Sequence, residues 1–347
     1  MPRLVSVWLL FLATALNAAP IKIGVLVPLT GSMDWWGRPY RDSVILAYEE
    51  LGLTPDKVQL VFEDWGDDWA KLAMSAQKLV NIDHVDAVIN TFDKAGYVTK
   101  PILNAHHIPQ INLSLDDRVA DGKSTFTLWT PIRHTAPLLL ENAVKTGHHR
   151  LALFVLRDYF PLRAEIELRE QIKRYPGLTI ANTTYFNPDE RDFRTITLKA
   201  RQDSWDLAVI LAYPPTATIV TRQLLSDGVK NLSSIEGFDQ MSDDIKMLPD
   251  GAWWTGGADN RPEFDAAFKK RFGYTPFTGP CYGYDCLKLL AKAFEINRKH
   301  PEKALIGLSV MGAGGQTTVM PGGWTEMPAY LKEWKDGKKV ILKEWGK

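Results

Sequence analysis

IKIGVLVPLTGSMDWWG, residues 21–37, is the stretch from which the fold can be read. Ile21 to Val27 is a short, mostly apolar run closed by Pro28 and a loop containing Gly31. A strand that is apolar on both faces belongs inside a parallel sheet covered by helices. The helix that should follow is marked by Val44, Ala47, Tyr48 and Leu51 at i, i+3, i+4 and i+7, with Gly52 to stop it.

Reading outward, the alternation continues. Val58–Phe62, Ala87–Ile89 and Ile108–Ile111 read as strands, with helices over Trp69–Val80 and Val98–Ala105 between them. The pattern then restarts. Strands are predicted at Leu151–Leu156, Leu178–Tyr185, Leu207–Leu211 and Ile235–Phe238, with helices at Leu162–Tyr175, Asp189–Gln202 and Thr216–Leu225. Strand–helix alternation gives right-handed crossovers and a parallel sheet with both faces covered. Two such series imply an α/β chain of two doubly wound lobes. Further helices are expected at Pro262–Phe272 and Cys281–Ile296, followed by a Gly-rich stretch, Gly312–Gly323, and a Trp- and Lys-rich tail.

Toward the N-terminus, Arg3, the apolar run Leu4–Leu16 and the small residues Ala18 and Ala19 have the form of a cleavable signal peptide over residues 1–19. Its removal leaves a net charge of about −1. No Cys stands at the junction to carry a lipid, so the mature protein is expected free in an exported space, most simply a bacterial periplasm. No apolar run of membrane-spanning length follows.

The 347 residues carry 41 Lys+Arg against 41 Asp+Glu. That balance argues against nucleic acid, which needs a basic surface to replace phosphate counterions. Two Cys cannot build a disulfide framework or supply four zinc ligands. Cys281 and Cys286 lie five apart in an expected helix, on different faces, and are read as unpaired thiols. Residues 116–125 end in Gly-Lys-Ser, but Asp117 occupies the leading Gly position of a phosphate loop, so the segment reads as a turn. The pairs His106-His107 and His148-His149 point their rings apart and read as surface loops. There is no Gly-x-Ser-x-Gly elbow or His-Glu-x-x-His pair. Neither an enzyme nor a cofactor is expected.

Four stretches, in order, resemble the branched-chain amino-acid (leucine/isoleucine/valine) family of type I periplasmic solute-binding proteins of ABC importers. They are IKIGVLVPLTGSMDWWG with Gly31 and Gly37, LVFEDWGDDWAKLAMSAQKLV, FDAAFKKRFGYTPFTGPCYGYDCLKLLAKAFE, and GWTEMPAYLKEWKDGKKVIL. The resemblance implies two lobes joined by three crossovers and closing on a small-molecule ligand. Lobe 1 would comprise residues 20–130 plus 258–325, and lobe 2 residues 131–257 plus 326–347, with hinges near Thr130, Gly256 and Gly323. It implies a membrane permease as partner, a monomer, and no catalysis.

The resemblance also implies a site. Trp35 and Trp36 would cover the ligand from the first loop. Phe92, Asp93 and Lys94 follow the third strand, where the family holds a ligand carboxylate; here Asp93 stands in that place and Lys94 could restore the anchor. Ser114 and Asp116 follow the fourth strand. In lobe 2, Tyr159, Tyr213, Phe238 and Asp239 follow successive strands, with Asp239 where the family places an acid for the ligand amine. The implied ligand is amino-acid-like or amine-bearing, with an apolar or aromatic group. The alternatives are an aromatic acid or amide, a sensor of the same fold, and an exported hydrolase.

Overall fold

A computed structural model describes residues 19–346. The signal-peptide reading falls, but for Ala19, outside the described residues.

The first lobe opens with β1 (Ile21–Val27), α1 (Asp34–Glu50), β2 (Val58–Asp64), α2 (Trp69–Asn81), β3 (Ala87–Thr91), α3 (Asp93–Ala105), β4 (Gln110–Leu113) and β5 (Thr125–Leu128). The strands form one parallel sheet of order β2-β1-β3-β4-β5. β1 lies inside it, and Val25, Leu26 and Val27 are fully buried, as a strand covered on both faces requires. The loop after β1 needs its glycine. A Cβ at Gly37 would stand 1.7 Å from the Pro28 carbonyl oxygen, so only Gly lets the start of α1 dock on the strand end.

The second lobe continues with α4 (Ile132–Lys145), β6 (Arg150–Leu156), α5 (Tyr159–Gln171), β7 (Thr179–Phe186), α6 (Arg194–Ala200), β8 (Leu207–Leu211), α7 (Thr216–Ser226), β9 (Leu232–Ile235) and β10 (Trp253–Gly256). The chain then returns to lobe 1 for α8 (Pro262–Phe272), α9 (Tyr282–Ile296), α10 (Pro301–Leu305) and a small antiparallel sheet of β11 (Ser309–Gly312), β12 (Gly315–Val319) and β13 (Thr325–Glu326). It ends in lobe 2 with the antiparallel pair β14 (Tyr330–Lys335) and β15 (Lys338–Glu344). The second sheet has the order β15-β14-β10-β9-β8-β6-β7. Three connections thus cross between the lobes, after β5, β10 and β13.

Where the structure departs from the sequence reading, the reasons are local. The helix expected over Asp189–Gln202 spans only Arg194–Ala200. Glu190 and Asp192 side chains accept the backbone N–H groups of Arg191, Asp192 and Arg194, which holds the preceding residues in a loop. The strand expected at Ile235–Phe238 lies at Leu232–Ile235 instead. Glu236 has φ +61° and Gly237 packs against the Ala212 carbonyl, so the chain turns at once into a short 3₁₀ segment, Gly237–Gln240. Gly323 itself sits in lobe 1, its carbonyl accepting the Thr127 N–H at 2.9 Å, shortly before the crossover that follows β13. The Gly-rich stretch is the β11–β13 sheet, and the residues of the Gly-Lys-Ser segment lead directly into β5. Cys281 and Cys286 are both free and buried.

Candidate functional site

Strands of a doubly wound sheet end at the same edge, and loops there face a crevice. Here both sheets turn that edge toward each other, and a cavity of about 500 Å³ lies between the lobes. Lobe 1 contributes Trp35 and Trp36 from the first turn of α1, Trp65 just after β2, Trp69 at the start of α2, Phe92 between β3 and α3, and Trp129 just after β5. Lobe 2 contributes Arg157 to Phe160 after β6, Pro188 and Arg191 after β7, Tyr213 to Thr216 after β8, and Gln240 beyond β9.

The lobe 1 aromatics are held by one another. Trp36 stacks on Tyr40 with centroids 5.2 Å apart and meets Phe92 at 4.7 Å. Phe92 stands edge-on to Trp65 at 6.1 Å, and Trp65 meets Trp69 at 5.0 Å. Phe92 has φ +68°, a conformation sparsely used by aromatic residues and one that recurs at binding sites. Trp69 is fixed from below because Asp68 caps α2, accepting the Ala70 and Lys71 N–H groups. The indole N–H groups of Trp35 and Trp65 have no acceptor.

The charges divide sharply. Each acid on the wall is already engaged. Asp67 accepts from the Ser32 N–H at 3.0 Å and hydroxyl at 2.8 Å, which holds its carboxyl below the usual range. Asp93 accepts from the Ser114 hydroxyl at 2.6 Å and the Asp116 N–H at 2.8 Å. Burial nevertheless pushes its carboxyl up to about 6. Asp158 caps α5 through the Tyr159 N–H at 2.6 Å and accepts the Tyr213 hydroxyl. The three cations on the wall have no carboxylate partner among the described residues. Lys94 Nζ lies 4.3 Å over the Trp69 ring, and Arg157 lies 5.0 Å over Tyr185. The Arg191 guanidinium donates to the carbonyls of Pro188 and Glu190.

Of the residues expected from the sequence, the structure brings Trp35, Trp36, Phe92, Asp93, Lys94, Tyr159 and Tyr213 to this cavity. Ser114 and Asp116 lie behind the wall. Ser114 orients Asp93. Asp116 accepts from Arg118 at 2.7 and 2.8 Å and from Tyr159 at 3.0 Å. Burial pushes the Asp116 carboxyl up, but Arg118 outweighs it and keeps the group below the usual range. Phe238 and Asp239 do not reach the cavity. Phe238 is fully buried in the lobe 2 core, 5.9 Å from Trp254. Asp239 is paired with Lys332 at 2.7 Å and Lys339 at 3.2 Å. The early end of β9 explains both positions, since the 3₁₀ turn carries residues 238 and 239 inward and presents Gln240 instead.

That paired acid belongs to a buried cluster at the second crossover. Lys332 also meets Asp259 at 2.9 Å, and Glu236 accepts the Gly257 N–H at 3.0 Å. Burial, with Asp239 nearby, pushes the Glu236 carboxyl up to about 8. Trp65, Trp69, Trp129, Arg157 and Arg191 were not singled out from the sequence. Arg157 immediately follows the apolar strand β6, which was a usable signal, whereas Trp65 follows the acidic end of β2. Arg191 lay inside a stretch read as helix. Among the described residues there is no cluster of His, Cys, Asp and Glu able to hold a metal ion.

Solved structures of similar shape carry a ligand-binding description. A solute-binding protein of an ABC transporter from Rhodopseudomonas palustris BisB5, in complex with 3,4-dihydroxybenzoic acid, superposes with a TM-score of 0.83 at 17% identity, over 94% of this chain and 97% of that one. The branched-chain amino-acid transporter substrate-binding protein LivJ from Streptococcus pneumoniae, in complex with isoleucine, gives 0.82 at 17%, over 93% and 99%. A leucine-binding protein from Thermotoga maritima gives 0.79 at 18%, over 94% and 98%. No curated protein matches the chain in sequence. The sequence profile described as "Periplasmic binding protein" matches residues 20–339, nearly all of the two-lobed body and its cavity. With sequence profile and architecture in agreement, the chain belongs to the periplasmic binding protein family.

Proposed function

We propose that this protein is the extracytoplasmic solute receptor of an ABC importer, exported by residues 1–19, and that its ligand is an aromatic carboxylate. One observation carries the choice of ligand. The acids on the cavity wall are satisfied by protein donors, while Lys94, Arg157 and Arg191 have no carboxylate partner. Lys94 is half-buried and Arg157 and Arg191 stand exposed at the rim, so a cavity edged by cations and lined by satisfied acids favours a ligand that brings acceptors. The half-buried rings of Trp35, Trp69, Phe92, Tyr159 and Tyr213 line the same cavity and suit an aromatic body. Binding of 3,4-dihydroxybenzoic acid by a protein of this shape supports the reading. An amine-bearing ligand is less well served, because the acid assigned to its amine, Asp239, is held by Lys332. The bound receptor would deliver its ligand to a membrane permease as a monomer, without chemistry.

A thermal-shift and Trp-fluorescence panel of benzoates, branched-chain amino acids and amides tests this. An aromatic acid at ~100 times its dissociation constant stabilises the fold by about 2.7 kcal/mol. Stabilisation by leucine or isoleucine with none by any benzoate refutes the ligand class.

A further inference from the structure

Asp93 is only 5% exposed, yet it lines the cavity from the first residue of α3. Its two carboxyl oxygens are treated differently. Oδ1 accepts the Ser114 hydroxyl at 2.6 Å and the Asp116 N–H at 2.8 Å, and both of those residues lie behind the wall. Among the described residues, no donor of another residue reaches Oδ2. The oxygen that Asp93 offers to the cavity is therefore the free one.

Nothing nearby substitutes for a donor. Phe92, Leu113 and Leu115, from the ends of β3 and β4, form the same part of the wall. Lys94, the next residue, lies over the Trp69 ring at 4.3 Å instead of pairing with Asp93. The two bonds on Oδ1 hold the carboxyl in one orientation, so Oδ2 is aimed before a ligand arrives. Even raised to about 6, the carboxyl is mostly ionised at neutral pH and can only accept. A buried acceptor left unmet costs free energy, more so when charged. Its partner must come from the cavity and must carry a hydrogen to donate. A ligand carboxylate cannot serve, because it would meet a like charge. The carboxylate and the donor thus belong to different parts of one ligand.

We infer that Asp93 is a specificity-determining residue, whose Oδ2 accepts a hydrogen bond from a hydroxyl or amino group on the ring of the aromatic acid. This rests on the aromatic-carboxylate reading and narrows it to acids with a ring donor. A site built to bond such a group rejects the analogue lacking it, since its own buried polar atom is then left unpaired.

Calorimetric titration of the full mature chain at neutral pH with benzoate, 3-hydroxybenzoate, 4-hydroxybenzoate, 4-aminobenzoate and 4-methoxybenzoate tests the inference. At least one of the three ring-donor acids is expected to bind about ten-fold or more tightly than benzoate, as a bond to a charged acceptor implies. The methoxy acid, with no hydrogen to donate, should bind no better than benzoate. Asp93→Asn keeps Oδ1 for Ser114 and Asp116 and turns its amide nitrogen to the cavity, so the preference for ring donors over benzoate should fall to about three-fold or less. Benzoate binding as tightly as all three ring-donor acids overturns the inference and leaves the aromatic-carboxylate reading standing. So does a methoxy acid that matches the hydroxy acids, or a folded Asp93→Asn variant that keeps the full preference. If none of the aromatic acids binds a chain whose melting is cooperative, the aromatic-carboxylate reading falls and the inference with it.

Discussion

Tyr159, on the first turn of α5, donates its hydroxyl at 3.0 Å to Asp116 in the opposite lobe. The acceptor is almost fully buried and is also held by Arg118, with Arg163 at 3.9 Å. A hydrogen bond to a charged group is worth about 1.5–3 kcal/mol, and this one exists only while the lobes touch.

Tyr159→Phe keeps the ring and removes the bond. The closed arrangement loses population, and ligand affinity falls with it, by about ten-fold. Small-angle scattering of the ligand-free protein should show a larger radius of gyration than wild type, with a melting temperature little changed. An unaltered radius of gyration would show that the bond does not hold the lobes together.

Lys94, Arg157 and Arg191 should act as a set. Arg157→Gln and Arg191→Gln remove exposed charges, so each is expected to weaken an aromatic carboxylate by about two- to five-fold. The losses should shrink at high salt, because screening already removes part of the attraction. Titrations at low and high ionic strength check this; losses independent of salt would argue against a charge role.

Asp93 makes a pH prediction with a definite sign. Its carboxyl is raised to about 6 in the fold, chiefly by burial, from an ordinary value of 3.8. A raised acid binds more protons folded than unfolded, so stability falls as pH rises through that interval and is flat above it. Both Ser114 and Asp116 N–H donate to the same carboxylate oxygen, so Asp93→Asn can keep both bonds. The variant should gain on the order of 2 kcal/mol at pH 7 and lose the slope between pH 4 and 6. It should also bind an aromatic acid more tightly, having lost a like charge. Melting curves that run parallel for wild type and variant across that pH range would contradict the assignment.

Lys332 is fully buried and paired with Asp239 and Asp259. Removing one member of a buried charge group strands the others, at about 3–5 kcal/mol. Lys332→Met should therefore lower the denaturation midpoint strongly, and the fraction that remains folded should bind ligand normally. Asp239→Asn should likewise cost stability and spare affinity. A large affinity loss with unchanged stability in Asp239→Asn would return Asp239 to the ligand.

The parallel core was legible because burial on both faces leaves an unambiguous mark. Val25 to Val27 and Leu207 to Leu211 are apolar without interruption, and no other element of that length needs to be. β5 was missed because Thr-Phe-Thr-Leu follows a Gly-Lys-Ser turn and is too short to show a period. The aromatic half of the candidate site was readable, since Phe92, Tyr159 and Tyr213 each come just after a strand and Trp35 follows the loop after β1. Asp239 was not. Whether an acid after a strand faces a cleft or a lysine depends on a partner 93 positions away, and no local pattern encodes that. Trp69 and Arg191 matter through a neighbouring ring and through the absence of a nearby acid, both properties of the assembled loops.

The three crossings also set the order in which the molecule can be completed. α1 packs against α9, and the Tyr40 hydroxyl meets Cys286 Sγ at 3.7 Å across 246 positions of chain. The part of the helical cover of lobe 1 formed by α8 and α9 is therefore synthesised only after the whole parallel part of lobe 2. Lobe 2 in turn waits for β14, which pairs against β10 and supplies Lys332, and for β15, which pairs against β14. Contacts this distant in sequence carry their loop-closure cost before any return, and they form late. A growing polypeptide of this design stays unfinished in both halves until β14 and β15 have been made.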